Sequence, residues 1–478
     1  MEKIIYLPIE TSGRELDAKL LLAHRALSRN YTVIIGRRCN VLKAAERLGY
    51  GIYMNKNHCD KKLFQTLDLV KSDFTYITLD EEGLVFLNDE AYLDRSNPHK
   101  IEYMSIIFTW GSYQRNLLIR ENPRLKSKTI SVGNPRFDLL RPEFSSLYKS
   151  ISEKIFKKWG RYILINTNFV AGNFSRHYNY SYIESQTMHG SLSENELSFL
   201  LETKEYYEKL FKQYKEMLLL LSSKFPDINF ILRPHPSEDK ENWKEALKGL
   251  KNLKVVFKGS AVDWMQSALA VIHTGCTTGI EAWALKKPVI AYNPITKTTI
   301  EPELPNKLSL KVNNINELYN ILEDIINGNF IGKFDEQLEI VQLYIESITG
   351  KLSSERIMDA LENLLNNKQI EYKNIEKSIY LKLNGIESMK TAFLFRILKF
   401  IIKYQQVERK FPGIRVVDFI FKQQKFLNKL SQFQKFPGLS SSYIRSRLSV
   451  YNLIFNKINS NNHLIQRIAE DTYIISKR

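Results

Sequence analysis

INFILRPHPSEDK (228–240), VVFKG (255–259) and LAVIHTGCTTGIEAWALKKPVIAYNP (269–294) together decide the fold. Apolar runs at Asn229–Leu232, Val255–Phe257, Ala270–His273 and Pro288–Tyr292 alternate with helical patterns at about 239–250, 261–268 and 278–286. Strand and helix alternating at this spacing predict βαβ units and a parallel sheet. Ligands of such sheets sit beyond the carboxyl ends of the strands. Two of the runs end there in polar loops, Arg233-Pro234-His235-Pro236 and His273-Thr274-Gly275-Cys276-Thr277-Thr278-Gly279. Both loops therefore project to one edge.

The residue types in these loops suit a phosphate. Arg233 offers a planar fork that pairs with phosphate oxygens. His235 is a donor between prolines, and Pro236 and its partner stiffen the loop. Gly275 and Gly279 allow the backbone close to a ligand, while Thr274, Thr277 and Thr278 offer hydroxyls around a helix start, an anion-binding position. Glu281 is expected in the first turn of that helix, either complementing its dipole or reaching a ribose hydroxyl. Taken singly, Arg-Pro-His-Pro also reads as a strand-ending turn, and a Gly/Thr-rich strand-to-helix turn is common. The pair in this order is far more specific.

Working outward, Lys3–Leu7 and Tyr31–Ile35 are β-rich runs flanking a helical pattern at Glu15–Ser28, with Leu16, Leu20, Ala23 and Leu27 on one face. Strands are expected at 50–54, 74–79, 104–109 and 128–132, and helices at 40–48, 60–71 and 111–121. A polar, aperiodic stretch at 141–153 marks a boundary, after which Tyr162–Ile165 opens a second sheet and leads into Asn166-Thr167-Asn168-Phe169. Residues 170–190 read as a loop, either beside a ligand or as a surface excursion. Helices are expected at 194–223, 315–327 and 335–366. The domain reading is 1–148, 149–366 and a basic helical extension, 367–478.

The chain has 478 residues, 44% hydrophobic and 25% charged, the balance of a globular protein. Its net charge is +17. Residues 371–478 hold 20 Lys/Arg against 7 Asp/Glu, so most of the excess lies in the last segment. Three sparse cysteines favour a reducing compartment. MEKIIYLPIE reads as a strand and not a leader, and no apolar run is long enough to span a membrane. There is no Asp-x-Asp, no His/Cys cluster, no Walker A and no Gly-x-Gly-x-x-Gly, so no metal and no resident cofactor is expected.

The paired loops resemble the donor half of GT-B glycosyltransferases that use cytidine nucleotides, where an HP motif and a later Ser/Thr-rich turn hold the phosphate. GIEAWALKKPVIAYNP looks like the capsule Kdo (3-deoxy-manno-octulosonic acid) transferases and the bacterial sialyl- and polysialyltransferases. CDP-glycerol glycerophosphotransferases share the RPHP part, but usually carry an acidic-aromatic-Ser-Ser turn in place of His-Thr-Gly. LPIETSGRELDAKLLLA, TLDEEGL and SVGNPRFDLLRP resemble the surface carbohydrate biosynthesis proteins over roughly residues 3–360. The resemblance implies an α/β, GT-B protein with two Rossmann-like domains facing across a cleft. Asn166, Asn168, Arg233, His235, Pro236, His273, Thr274, Gly275, Thr277, Thr278 and Glu281 would form its donor site.

An inverting transferase needs a base in the acceptor domain. The loop Pro8-Ile9-Glu10-Thr11-Ser12-Gly13-Arg14-Glu15 carries two carboxylates, and its Gly-Arg-Glu portion resembles a loop of the lipid A pathway Kdo transferases. Glu15 is the first candidate base, Glu10 the second and Glu82, in Leu79-Asp80-Glu81-Glu82-Gly83, the third. Helix-dipole compensation is the plain alternative for Glu15. Arg14 is expected to bind an acceptor or donor carboxylate.

The expected activity is inverting, metal-independent glycosyl transfer from a CMP-activated acidic sugar, Kdo or a nonulosonic acid, in lipopolysaccharide O-antigen or capsule synthesis. The acceptor would be a lipid-linked glycan at the cytoplasmic face of a bacterial membrane. Alternatives are a CDP-polyol phosphotransferase, a GT-B-type sugar-nucleotide epimerase, or a basic membrane- or nucleic-acid-binding scaffold. AFLFRILKFIIKY, VVDFIFKQQKFLNKL and IRSRLSVYNLIF, within 371–478, mix apolar and basic residues as an interfacial anchor on an anionic membrane does. Packing on the body is the competing reading. Nucleic acid is not expected, because the aromatics recur with aliphatic partners at helical spacing.

Overall fold

The computed structural model describes residues 3–58, 74–169, 171–173, 193–257, 259–367, 383, 436, 438–456 and 463–477. They fall into two compact units. One is Met1–Gly83, Leu93–Leu139 and Gln342–Arg478, and the other is Leu84–Tyr92 and Leu140–Val341. The first has a mixed eight-stranded sheet and the second a parallel six-stranded one, each with helices, so the α/β class and the two Rossmann-like sheets expected from the sequence are present.

The first unit opens with β1 (Ile4–Ile9), β2 (Thr32–Arg37), β3 (Gly51–Asn55), β4 (Phe74–Leu79), β5 (Ile106–Thr109) and β6 (Thr129–Ser131). They pair in parallel in the order β2-β1-β3-β4-β5-β6. Strands covered on both faces need continuous apolar runs, and β1 and β2 are buried at every position. The helix Ser12–Ser28 returns from β1 to β2 and buries Leu16, Leu20, Ala23 and Leu27. The chain lays β2 on one side of β1 and β3 on the other, so the strand order reverses between β1 and β3.

The second unit holds β7 (Tyr162–Asn166), β8 (Asn229–Arg233), β9 (Leu253–Val255), β10 (Val271–His273), β11 (Val289–Tyr292) and β12 (Leu310–Val312). The order is β12-β11-β10-β7-β8-β9, every pair parallel. The helix Glu194–Lys224 starts on a capping box, in which Ser193 Oγ accepts the Glu196 N–H at 3.3 Å. Its buried stripe includes Tyr206, Leu210, Tyr214, Met217, Leu218 and Leu221, the spacing of one helix face. Phe169, Phe211, Tyr214 and Trp243 pack edge to face beneath the loop after β7.

The chain then returns to the first unit at Gln342, short of the 366 expected from the sequence. The helix Ser353–Asn367 packs on Ser12–Ser28 through Arg25–Glu355 (3.0 Å) and Arg29–Asp359 (2.7 Å). Past the helix Ser441–Ile454, β13 (His463–Ala469) and β14 (Thr472–Lys477) form a hairpin whose β14 pairs antiparallel with β2.

Several expectations change. The stretch 141–153 is ordered, with a 3₁₀ turn at Pro142–Phe144 followed by the helix Ser146–Trp159, which buries only Leu147 and Tyr148 and so shows little periodicity. The 335–366 pattern is two helices, Leu338–Tyr344 and Ser353–Asn367, parted at Gly350 with φ +68°. The extension is not helical throughout. HLIQRIA and the more β-branched TYIISK flank a turn at Asp471 with φ +53°, a weak hairpin signal inside a basic context. The membrane reading of IRSRLSVYNLIF is corrected in favour of packing on the body. Tyr451 donates to Asp17 O (2.9 Å), Arg447 meets Asp17 (3.0 Å) and Phe455 stacks on His24. The helix expected at 60–71, nearly all of the 170–190 loop, and the segments 392–404 and 416–430 lie outside the described residues.

Candidate nucleotide-donor site

Three strand ends in the second unit come together at one edge. Asn166, the last residue of β7, is in register with Arg233 at the end of β8 and with His273 at the end of β10. The chain passes from β7 to β8 and β9 on one side, then crosses to β10 on the other. The order therefore reverses between β7 and β10, the position where open α/β sheets bind ligands. Asn166 is 4% exposed, and its Nδ2 has no hydrogen-bond partner. A buried amide donor without a partner is costly unless something fills the place.

The loop after β8 is held by a residue that motif reading passed over. Glu238 is fully buried and accepts from the His235 N–H (2.9 Å), Thr167 Oγ1 (2.8 Å), Trp243 Nε1 (2.8 Å) and Asn173 Nδ2 (3.5 Å). Burial raises its carboxyl above the ordinary range despite these donors. It joins the loop after β7 to the Arg-Pro-His-Pro loop. The signal available in the sequence was an acid three residues past the histidine. Arg233, half-buried, lies over Trp264 at 5.6 Å and donates to Gly259 O at 2.9 Å, and burial lowers its pKa to about 10. It remains a cation at neutral pH. His235 and Pro236 are exposed. His235 Nδ1 accepts the Ser237 N–H at 3.2 Å, so the neutral ring carries its proton on Nε2.

The loop after β10 departs from expectation at His273. The ring is fully buried, with Nδ1 accepting the Gly275 N–H (2.9 Å) and Nε2 meeting Ser309 Oγ (2.7 Å). Burial lowers its pKa to about 4. His273 therefore holds the turn as a neutral ring and does not present itself to a phosphate. Gly279 packs directly on it, where an added Cβ would lie 2.7 Å from Nε2. Gly275 sits at φ +72°, a conformation glycine adopts without strain. Thr274 Oγ1 accepts the Asn168 N–H at 2.8 Å and ties this loop to the one after β7. The helix Thr277–Ala284 has no side-chain cap, and Thr277 and Thr278 are half-buried at its start. Its first-turn N–H groups are those an anion takes. Glu281 lies beyond the first turn and is 7% exposed, so dipole compensation does not account for it.

In the first unit, the acceptor-side candidates gather at the carboxyl edge near the β1/β3 reversal. Glu15 is fully buried and accepts the N–H groups of Glu10 (2.9 Å) and Thr11 (3.2 Å). Burial, then the neighbouring Glu81, raises its carboxyl. Enclosed in this way it clamps its own loop, whereas Glu10 and Glu82 keep exposed carboxylates. Glu10 keeps its side chain 26% exposed and pairs with Lys56 (2.7 Å) and Arg38 (3.7 Å). Glu82 is 46% exposed, and against burial Arg14 and Arg95 hold its carboxyl below the ordinary range. Arg14 itself meets Glu82 at 2.8 Å. Glu81 is buried with Lys19 at 2.7 Å.

No family profile and no curated protein sequence matches the chain. Solved structures are similar to it. The wall teichoic acid polymerase TagF is 11% identical, with 77% of this chain and 90% of that one covered and a TM-score of 0.47. The S. aureus MnaA–UDP structure is 14% identical, covering 79% and 100%, TM-score 0.48. The UDP-GlcNAc 2-epimerase of Neisseria meningitidis bound to UDP-GlcNAc is 14% identical, covering 76% and 100%, TM-score 0.46.

Proposed function

We propose that this chain is a glycosyltransferase that takes a nucleotide-activated sugar at the carboxyl edge of its second sheet. The donor is a CMP-activated acidic sugar, Kdo or a nonulosonic acid, and the product a bacterial surface polysaccharide. The observation that carries the reading is the buried, unpartnered Asn166 Nδ2 at the strand reversal, between Arg233 and the uncapped helix start at Thr277. These groups match a phosphate and the sugar hydroxyls beside it.

In the proposed reaction an acceptor hydroxyl oxygen attacks the anomeric carbon. The carbon–oxygen bond to the phosphate breaks, and CMP leaves with the electron pair. Arg233, His235 Nε2–H and the first N–H groups of the helix meet the charge gathering on the leaving phosphate. The hydroxyl proton goes to a general base, and Glu10 and Glu82 are the accessible carboxylates among the sequence candidates for it. A lipid-linked glycan acceptor on the cytoplasmic face of the membrane suits the basic stretch 371–435, with an anionic membrane surface as its partner.

The test is incubation with a panel of CMP-sugars, CDP-glycerol and UDP-N-acetylglucosamine, reading nucleotide release with and without acceptor glycans. CMP release that depends on acceptor supports the proposal. Release from CDP-glycerol alone makes the chain a polyol phosphotransferase. Absence of any nucleotide binding, read by thermal shift with CMP, CDP and UDP, removes the donor site.

A further inference from the structure

We infer that the recess between the Thr274–Gly275 turn and the segment Glu301–Asn306 is a hydroxyl-binding subsite for the group carried beyond the donor phosphate. The inference rests on the donor reading above and adds to it which chemistry is recognised next to the phosphate loop.

Asn306 is 6% exposed, and its Oδ1 has no hydrogen-bond partner. The amide cannot be turned round without cost, because Nδ2 donates to Glu301 Oε2 at 3.4 Å and a flip would set two acceptors face to face. Oδ1 therefore looks the other way, toward Gly275, where an added Cβ would stand 3.9 Å from it. Gly275 belongs to the donor loop and lines the same cavity as Asn306, Glu301, Thr274 and Tyr206. Glu301 is fixed in place by four donors: Tyr206 OH (3.1 Å), the Lys297 N–H (2.6 Å), Asn293 Nδ2 (3.2 Å) and Asn306 itself.

The cavity is about 10 Å³, room for one water-sized group. Its missing partner is a donor, since the orphaned atom is a carbonyl oxygen and the flanking acid is an acceptor. A carboxylate or phosphate oxygen brings no proton to Asn306 and stands against Glu301. A hydroxyl of a sugar or polyol fits in both size and polarity. The recess thus discriminates for hydroxyl-bearing donors and separates the sugar end of the ligand from the phosphate end held at Arg233 and Thr277.

The test is titration calorimetry on the full-length protein with matched probes: CMP and CMP-N-acetylneuraminic acid, CDP and CDP-glycerol, UDP and UDP-N-acetylglucosamine. In whichever pair binds, Asn306→Leu is expected to weaken the hydroxylated member by about tenfold, the size of one well-placed hydrogen bond, and to leave the bare nucleotide unchanged. Asn306→Ala, checked by its melting curve, guards against a variant that misfolds. Equal weakening of both members, or of neither, overturns the subsite and assigns the cavity to a structural water. Failure of every nucleotide to bind the unaltered protein is a different result, which overturns the donor site and this subsite together.

Discussion

Arg233 and His235 occupy the same loop but are held differently. Arg233 is half-buried on Trp264, whereas His235 is exposed on a backbone that Glu238 anchors from below. Each is expected to contribute a charge-assisted contact to the leaving phosphate. Arg233→Ala or His235→Ala should reduce turnover by about 10²–10³, roughly 2–4 kcal/mol, with circular dichroism unchanged. Full activity in a folded His235→Ala protein would refute the phosphate role. The acidic loop in the first unit invites a sharper comparison. Glu15 spends both carboxylate oxygens on backbone N–H groups, and Glu10 keeps an accessible face. Glu10→Gln should lower kcat with nucleotide affinity intact, while Glu15→Gln should chiefly lower stability, by about 1–3 kcal/mol for the donors it leaves unpaired. If Glu10→Gln and Glu82→Gln both turn over normally, the base lies elsewhere.

At the scale of elements, the Thr277–Ala284 helix is placed by contact between Gly279 and the ring of His273. A methyl group there would meet the ring first, at 2.7–2.9 Å, and that ring is pinned at both nitrogens. Gly279→Ala should therefore destabilise by about 1–3 kcal/mol and weaken nucleotide binding, as read by urea denaturation and calorimetry. The same buried ring makes a pH prediction. Burial lowers both His58 and His273 from 6.5 to about 4. The unfolded chain then binds more protons than the folded one between those values, so stability rises with pH across the window. It is fully present above pH 6.5 and is lost as pH falls toward 4. Urea midpoints should drop steadily between these limits, and His273→Gln should show a shallower slope. A flat profile would contradict the neutral buried histidine.

At the scale of the whole chain, the last residues are part of the first sheet. β14 covers the edge of β2, and Arg37 pairs with Asp471 at 2.7 Å with both side chains nearly buried. Asp471 Oδ1 also accepts the Leu439 N–H at 2.9 Å. Asp471→Ala leaves a buried guanidinium without its carboxylate and should cost about 3–5 kcal/mol, seen as a lower melting temperature. Cutting the chain near residue 370 would strip the β2 edge as well as the basic segment. Vesicle binding is therefore better tested by deleting 384–435 alone. That variant should lose salt-sensitive cosedimentation with anionic vesicles, with its melting curve checking that it folds. Retained binding would remove the membrane role of the segment.

Periodicity and strand-end chemistry determined much of this protein by themselves. The runs around Arg233 and His273 identified a parallel sheet, its carboxyl edge and the loops that meet there, because strand and helix periods and glycine–threonine turns are local properties of the chain. What lies opposite a side chain is not local. Glu238 and Asn306 look ordinary in the sequence, and only packing shows the first gathering donors from three segments and the second left with an orphaned oxygen. His273 and Glu15 had the right chemistry in the right loops, yet tertiary contacts enclosed both and turned them to holding the backbone. The hairpin that completes the first sheet was hidden for the same reason. Its β14 is specified less by its own composition than by β2, whose edge it covers with paired residues 436–442 positions apart in the chain.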